Sequence, residues 1–256
     1  MYFRNKSEFL YYVDLKGKLG YFSYLGSGSQ GIVYFNKKTN QVFKFFYQFF
    51  EKYDEELNIK YCKEDILKFS SIINNTFKWP TDVIVVGSEV VGYISEYVQG
   101  RSLSEIDSMN VDLNALSIHL DRVIPDIKTI SNNGVLTFDV MYNILYGNNG
   151  IFVIDHDEYT YSDIDSSKLY QKNAKNFNDG IVSFLVDNYF DEFVSSYKDL
   201  TELYKGKSID TCEFLKLFRK YLSEYVGRDV STLSEASSCL NKKKVKYTNY
   251  QRTILN

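Results

Sequence analysis

Residues Tyr24 to Phe35 read "YLGSGSQGIVYF". Gly26, Gly28 and Gly31 fall at the spacing G-x-G-x-x-G, which serves phosphate-binding loops and plain flexible turns alike. Context decides between the two. A dinucleotide-binding loop feeds a helix whose N-terminus receives the pyrophosphate. Here the glycines run into the β-branched and aromatic residues of "GIVYF", then the polar turn "NKKTN", then "QVFKFF". No Gly-Lys-Ser/Thr follows, so a P-loop is excluded as well. What remains is a strand, glycine loop, strand unit, in which bare backbone amides can lie over the phosphates of a nucleotide.

Working outward, "KLGYFSYLG" reads as the strand that enters the loop. Beyond "QVFKFF" comes the charged stretch "EKYDEELNIKYCKEDILKFSSII", helical in its later part, and then "WPTDVIVVGSEVVGYISEYVQG", a β-hairpin with an extended exit. The chain changes character near Val98. Leu113, Leu116, Leu120, Ile124, Ile127 and Ile130 recur at helical spacing, Asn132, Asn133 and Gly134 supply a stop, and Pro125 is expected to kink or divide the helix. Farther on, Asp210 with Glu213 resembles a capping box, Phe214, Leu217, Phe218 and Tyr221 form an apolar stripe, and Gly227 can close the helix. Strands first and helices after predict an α+β protein, with a β-rich part over 1–97 and a mainly helical part over 98–256.

The composition excludes several function classes. A net charge of -3 over 256 residues gives no overall attraction to nucleic acid or anionic membrane. "MYFRNKSEFLYYV" has no signal-peptide pattern and no run of about 18 apolar residues occurs, so a cytoplasmic protein without membrane insertion is expected. Cys62, Cys212 and Cys239 are odd in number and lack metal-site spacing. Of the two histidines, His119 reads as a satisfied core or boundary residue and His156 as a packing or hydrogen-bonding residue. The lysines of "NKKKVKYTNYQR" read as a solvated run.

Placed side by side, the two halves resemble a protein kinase of degenerate, bacterial type, and the resemblance covers most of the chain. "LGSGSQGIVY" looks like the kinase glycine-rich loop, with Gly26, Ser27, Gly28, Ser29 and Gly31 over the phosphates and Val33 against the adenine. "QVFKFF" is similar to the strand of the phosphate-binding lysine, here Lys44, whose partner on the first helix would be Glu64, with Glu56 and Glu55 as competitors. "YISEYVQG" resembles the hinge, with Ser95 as gatekeeper and the backbone of Glu96 and Val98 at the adenine edge. "TFDVMYNILYGNNGIFVIDHDEY" looks like the catalytic loop, hairpin and metal loop in the family's order. It implies Asp139 as catalytic base and Asn143 and Asp155 as Mg²⁺ ligands, with Asp157 as a possible second carboxylate on the metal. The implied fold is two-lobed, and the implied activity is ATP- and Mg²⁺-dependent transfer of a γ-phosphoryl group to a hydroxyl, a protein serine or threonine first.

The sequence departs from the family in several places. Thr137-Phe138-Asp139 replaces His-Arg-Asp, and Asn143 follows Asp139 one residue too early. Met141 stands where a loop lysine is usual, Asp155-His156-Asp157 replaces Asp-Phe-Gly, and Ala-Pro-Glu is missing. Two other readings stay open on these departures. One is a pseudokinase that binds nucleotide or a protein partner. The other is a small-molecule kinase of the aminoglycoside or choline phosphotransferase type, with a compact acidic acceptor cleft.

Overall fold

The computed structural model describes residues 1–28, 30–47, 61–186, 190–205 and 211–240. The chain divides into two compact units, the first made of Met1–Ile73, Phe77–Gln99 and Ile154–Asp157, the second of Asn74–Thr76, Gly100–Val153 and Glu158–Asn256.

The first unit opens with β1 (Tyr2–Phe3) and α1 (Lys6–Lys18), a helix that the strand-first reading overlooks. Its signal was local. The Asn5 side chain accepts from the Glu8 amide at 3.0 Å, and Glu8 in turn accepts from the Arg4 amide at 2.8 Å, an N-cap reciprocated by its N3 residue one position early. Then come β2 (Phe22–Ser27), β3 (Gly31–Asn36), β4 (Gln41–Phe46), the short α2 (Lys63–Leu67), β5 (Pro80–Val86) and β6 (Glu89–Glu96). They form one sheet in the order β1-β5-β6-β4-β3-β2, antiparallel except for the β1–β5 pair.

Both faces of this sheet are covered. Phe43 and Phe45 of β4 pack with Phe3, Phe9 of α1, Ile84, Val86, Val91 and Ile94. Phe46 packs with Ile66 of α2, Val83 and Tyr93 in a second cluster. Because side chains alternate along a strand, Lys44 shares a face with Phe46, and β4 sits inside the sheet between β3 and β6. Glycine lets the neighbours close on it. A Cβ at Gly31 would lie 2.3 Å from the Phe45 carbonyl oxygen, and one at Gly92 would lie 2.1 Å from that of Lys44. Read by itself, Lys44 suggests an edge-strand lysine with its head in water, whereas the residue is 5% exposed on an interior strand.

The second unit holds β7 (Arg101–Ser102), α3 (Leu113–Asn132), β8 (Val135–Leu136), β9 (Ile144–Gly147), β10 (Gly150–Val153), β11 (Thr160–Tyr161), α4 (Ser166–Val186), α5 (Asp191–Ser195), α6 (Lys198–Tyr204) and α7 (Thr211–Val226), with a further helical stretch over 233–240. Strands β10, β9 and β7 form a small antiparallel sheet, and β11 pairs with β8. Helix α3 runs unbroken through Pro125, so the expected division does not occur. Its apolar face is long enough for packing to outweigh one lost backbone hydrogen bond. The buried residues of that face include Val123 in place of Ile124. On α7 the buried stripe is Phe214, Leu215, Phe218 and Leu222, rotated from the expected one. Tyr221 instead stacks on Tyr197 at 4.0 Å and donates to Asp199. Asp210, the first half of the expected capping box, lies outside the described residues, as does the lysine run after 240.

The order of elements is therefore the α+β arrangement expected, a β-rich N-terminal part followed by a mainly helical one. Among the described residues no helix is long and apolar enough to cross a membrane.

Candidate functional site

The strongest concentration of buried charge lies in the first unit, around the Lys44 ammonium. It donates to Asp155 Oδ1 at 2.5 Å, Asp157 Oδ2 at 2.7 Å and Gln30 Oε1 at 3.0 Å. The two aspartates stand 111 and 113 residues along the chain from the lysine. The ammonium also lies 5.5 Å from the centre of the Tyr93 ring.

Local structure explains how one tripeptide delivers two carboxylates to one cation. The His156 ring packs edge-on against Trp79 at 4.4 Å and near Phe77 at 6.3 Å, which fills the role expected of it. Trp79 is itself held by its indole N–H on the Ile72 carbonyl at 3.0 Å. Asp155 adopts the left-handed conformation at φ 59°, which a short polar side chain tolerates better than a bulky one. The imidazole thus lies against Trp79 while the carboxylates on either side of it in sequence both reach Lys44.

Electrostatics sort the two acids. Burial pushes the Lys44 ammonium toward losing its proton, yet the charges and hydrogen bonds of Asp155 and Asp157 outweigh it and its pKa ends raised. Burial also opposes ionisation of Asp155, but the Lys44 charge and hydrogen bond prevail and its pKa is lowered. For Asp157, burial together with the Asp155 charge overcomes the pull of Lys44, and the carboxyl is pushed up to about 6. Tyr93, buried and facing both acids, is held well above the usual phenol range. Two carboxylates thus share one ammonium, and the cluster carries an excess of negative charge.

That excess bears on a metal. Mg²⁺ takes hard oxygen ligands, and Asp155 and Asp157 present them. The Asp155 side chain is 39% exposed and the Asp157 side chain 5%, so Asp155 is the open one. The donor set fits a magnesium ion in chemistry. Among the described residues no group of three or more His, Cys, Asp and Glu side chains gathers at one point.

The remaining expected residues fall as follows. Val33 pairs with Lys44 across the β3–β4 ladder. Gly26 and Ser27 end β2 and Gly31 opens β3, and the turn between the strands is closed by the Gly28 amide on the Gly31 carbonyl at 3.0 Å. Gly26 and Gly28 have nothing within 4 Å of a built Cβ, so the fold requires glycine there only at Gly31. Ser29 lies outside the described residues, as do Glu55 and Glu56. Glu64 is exposed in the first turn of α2 and makes no ion pair with Lys44, whose carboxylate partners are Asp155 and Asp157 instead. Among the described residues the carboxylates on the ammonium are thus those of Asp155 and Asp157 and not that of Glu64. Ser95 ends up opposite Val42 and Pro80 in the sheet. Glu96 closes β6 and pairs with Lys78 at 3.0 Å, while Val98 follows in extended chain and Tyr97 between them stacks on Phe35 at 4.1 Å.

Asp139 and Asn143 belong to the second unit. Asp139 is exposed, lies at φ 49°, and its carboxylate makes no hydrogen bond to the turn it opens. The Asn143 side chain donates to the Asp139 carbonyl at 3.1 Å. The loop is anchored from below by residues that pattern reading missed. The Thr137 amide and hydroxyl both donate to Asn173 Oδ1 of α4, at 2.9 and 3.0 Å, and Asn176 Nδ2 donates to the Thr137 carbonyl at 2.7 Å. Asn173 Nδ2 also donates to the Val135 carbonyl and the Ser131 hydroxyl. Asn173 and Asn178, which fall among the buried Leu169, Ala174, Phe177 and Ile181 of α4, were the available signal. Similarly Asp126, buried in α3, accepts from the amides of Asn75 and Thr76 and from the Thr76 hydroxyl.

No family model matches the sequence and no curated protein matches it. Among solved structures, the crystal structure of the Mycobacterium tuberculosis PknI kinase domain is similar to the chain at a TM-score of 0.48 and 12% identity, over 78% of this chain and 96% of that one.

Proposed function

We propose that the protein is an ATP- and Mg²⁺-dependent phosphotransferase of protein kinase-like type, passing the γ-phosphoryl group to a hydroxyl, a protein serine or threonine in the first instance. One observation carries this reading: a buried lysine after a glycine loop is held by two aspartates that follow a distant hairpin, one of them open to solvent. In this reading Lys44 holds the phosphates, with the glycine loop amides beside it, and Val33 and the backbone of Glu96 and Val98 receive the adenine. Asp155 would be the oxygen ligand for Mg²⁺ in the first unit, and the ion when bound would neutralise phosphate charge. Asp139 orients and deprotonates the acceptor hydroxyl, a role for which an exposed carboxylate outside the turn's own hydrogen bonding is suited. Catalysis then rests on positioning and electrostatics.

The test is calorimetric and thermal titration with ATP, with Mg²⁺ and with EDTA, followed by labelled-phosphate transfer. ATP with Mg²⁺ should bind and stabilise the wild type, and Lys44→Met should lose binding. Absence of any ATP response in the wild type sinks the reading. A second reading, nucleotide binding without transfer, is favoured by one feature: Met141 and Tyr142 in the Asp139 turn are exposed and apolar, and no cation stands among residues 137–143 to meet the transferred group. ATP binding by the wild type with labelled-phosphate transfer no higher than that of Asp139→Asn would select it.

A further inference from the structure

Lys44 has three N–H donors and all three are taken. Two go to carboxylates at 2.5 and 2.7 Å and the third to the neutral Gln30 carboxamide at 3.0 Å. Only 6% of the lysine side chain is exposed, so an incoming oxygen must replace an existing acceptor rather than join it. Charge-assisted bonds are the stronger ones, and the carboxamide is therefore the acceptor that yields.

The geometry around Gln30 restricts how it can yield. Its carbonyl accepts from the Tyr47 amide at 3.1 Å, which extends the β3–β4 ladder past Gly31. Gly31 lies against the Phe45 carbonyl so closely that β3 cannot shift there. The backbone of Gln30 is pinned, and its side chain alone is free to turn between rotamers. Gln30 thus joins the glycine loop to the ammonium by one neutral hydrogen bond that breaks without moving the sheet.

We infer that Gln30 is a latch on the phosphate site: its carboxamide occupies the Lys44 donor that a phosphate oxygen takes, and thereby sets the affinity for polyphosphates without touching the rest of the nucleotide. It is a positioning residue, acting through Lys44, and the inference rests on the nucleotide reading above. Gln30→Met keeps the length of the side chain and removes its acceptor, which leaves a buried N–H unmet until phosphate arrives. Gln30→Glu places a third carboxylate on the ammonium.

Titration calorimetry with ATP, ADP, inorganic tripolyphosphate and adenosine at fixed Mg²⁺, on wild type and both variants, tests this. Gln30→Met should bind the three phosphate compounds more tightly, by on the order of tenfold, and Gln30→Glu more weakly by a similar factor. Adenosine, lacking phosphate, should bind all three proteins equally. Unchanged affinity in both variants overturns the latch, and so does weaker phosphate binding by Gln30→Met, which would make the carboxamide a direct phosphate ligand. Equal shifts for adenosine and ATP would reduce Gln30 to a structural part of the loop. A wild type that binds none of the four compounds removes the nucleotide reading and the latch together. A wild type that binds ATP alongside an unaltered Gln30→Met removes the latch alone.

Discussion

The Lys44 cluster and the Asp139 turn are built on opposite principles. Around Lys44 the side chains hold one another: a buried cation and two acids, brought from opposite ends of a long stretch of chain, satisfy their hydrogen bonds mutually. Around Asp139 the backbone is what is held. Asn173 and Asn176 fix Thr137 by four hydrogen bonds, and the carboxylate two residues on is left exposed. The first arrangement is electrostatic and intolerant of losing a partner, because an isolated buried charge is costly. The second supports the backbone and leaves the carboxylate outside that support, so the side chain can change while the scaffold stays. Both regions nonetheless turn on an aspartate in the left-handed conformation, Asp155 and Asp139, a backbone state that persists only where its surroundings impose it.

The contrast breaks most visibly at Lys44. Lys44→Met should destabilise the protein by about 3–5 kcal/mol in urea unfolding at pH 7, since the buried Asp157 and the more open Asp155 both lose their counter-charge. In the other region, Asp139→Asn should leave stability within about 0.5 kcal/mol while Asn173→Ala costs about 2–3 kcal/mol, because the latter strands the Thr137 amide and hydroxyl and the Val135 carbonyl. Equal effects of those two substitutions would end the distinction between the held backbone and the exposed side chain.

A smaller effect separates the glycines. Gly31→Ala should lose about 1–3 kcal/mol by pressing a methyl on the Phe45 carbonyl, whereas Gly28→Ala, with open space around it, should change stability by under about 0.5 kcal/mol.

His119 sharpens the comparison through pH. Burial and then Arg122 hold its pKa below the usual imidazole range. The unfolded chain therefore takes up a proton first as pH falls below about 6.5, and stability contributed by the neutral ring declines from there toward the folded-state value. Its Nδ1 is buried with no hydrogen-bond partner among the described residues, so the satisfied core or boundary histidine expected from sequence carries an unsatisfied nitrogen. His119→Leu should remove a stability slope of at most about 1.4 kcal/mol per pH unit between pH 7 and 5, read by thermal or urea melts. Least of all, Glu64→Gln should leave both melting and ATP affinity unchanged. A loss of ATP binding there would restore the glutamate as the partner of Lys44.

Much of this was legible locally. The loop, the turn after it, the hairpin over β5 and β6, and the Asn132–Gly134 stop follow from β-branched runs, glycines and asparagines acting on their own neighbours. Helix α1 was equally local but lacks an apolar stripe, and only its Asn5–Glu8 cap announced it. The stripe of α7 was misplaced because Leu215 and Leu222 bury in place of Leu217 and Tyr221, and the neighbours of a helix, not its own period, select which of two overlapping stripes turns inward.

The sequence by itself determined the order of strands and helices, because propensity and spacing act over a few residues, and its resemblance to protein kinases marked Lys44, Asp139, Asn143 and Asp155 as groups worth locating. Only the tertiary structure decided that Lys44 is buried, that Asp155, Asp157 and Gln30 rather than Glu64 meet it, and that Asn173 supports the Asp139 turn. Those facts depend on which faces are covered and on contacts across many tens of residues, where a charge is stabilised by whichever partner the folded chain delivers and no local pattern records the choice.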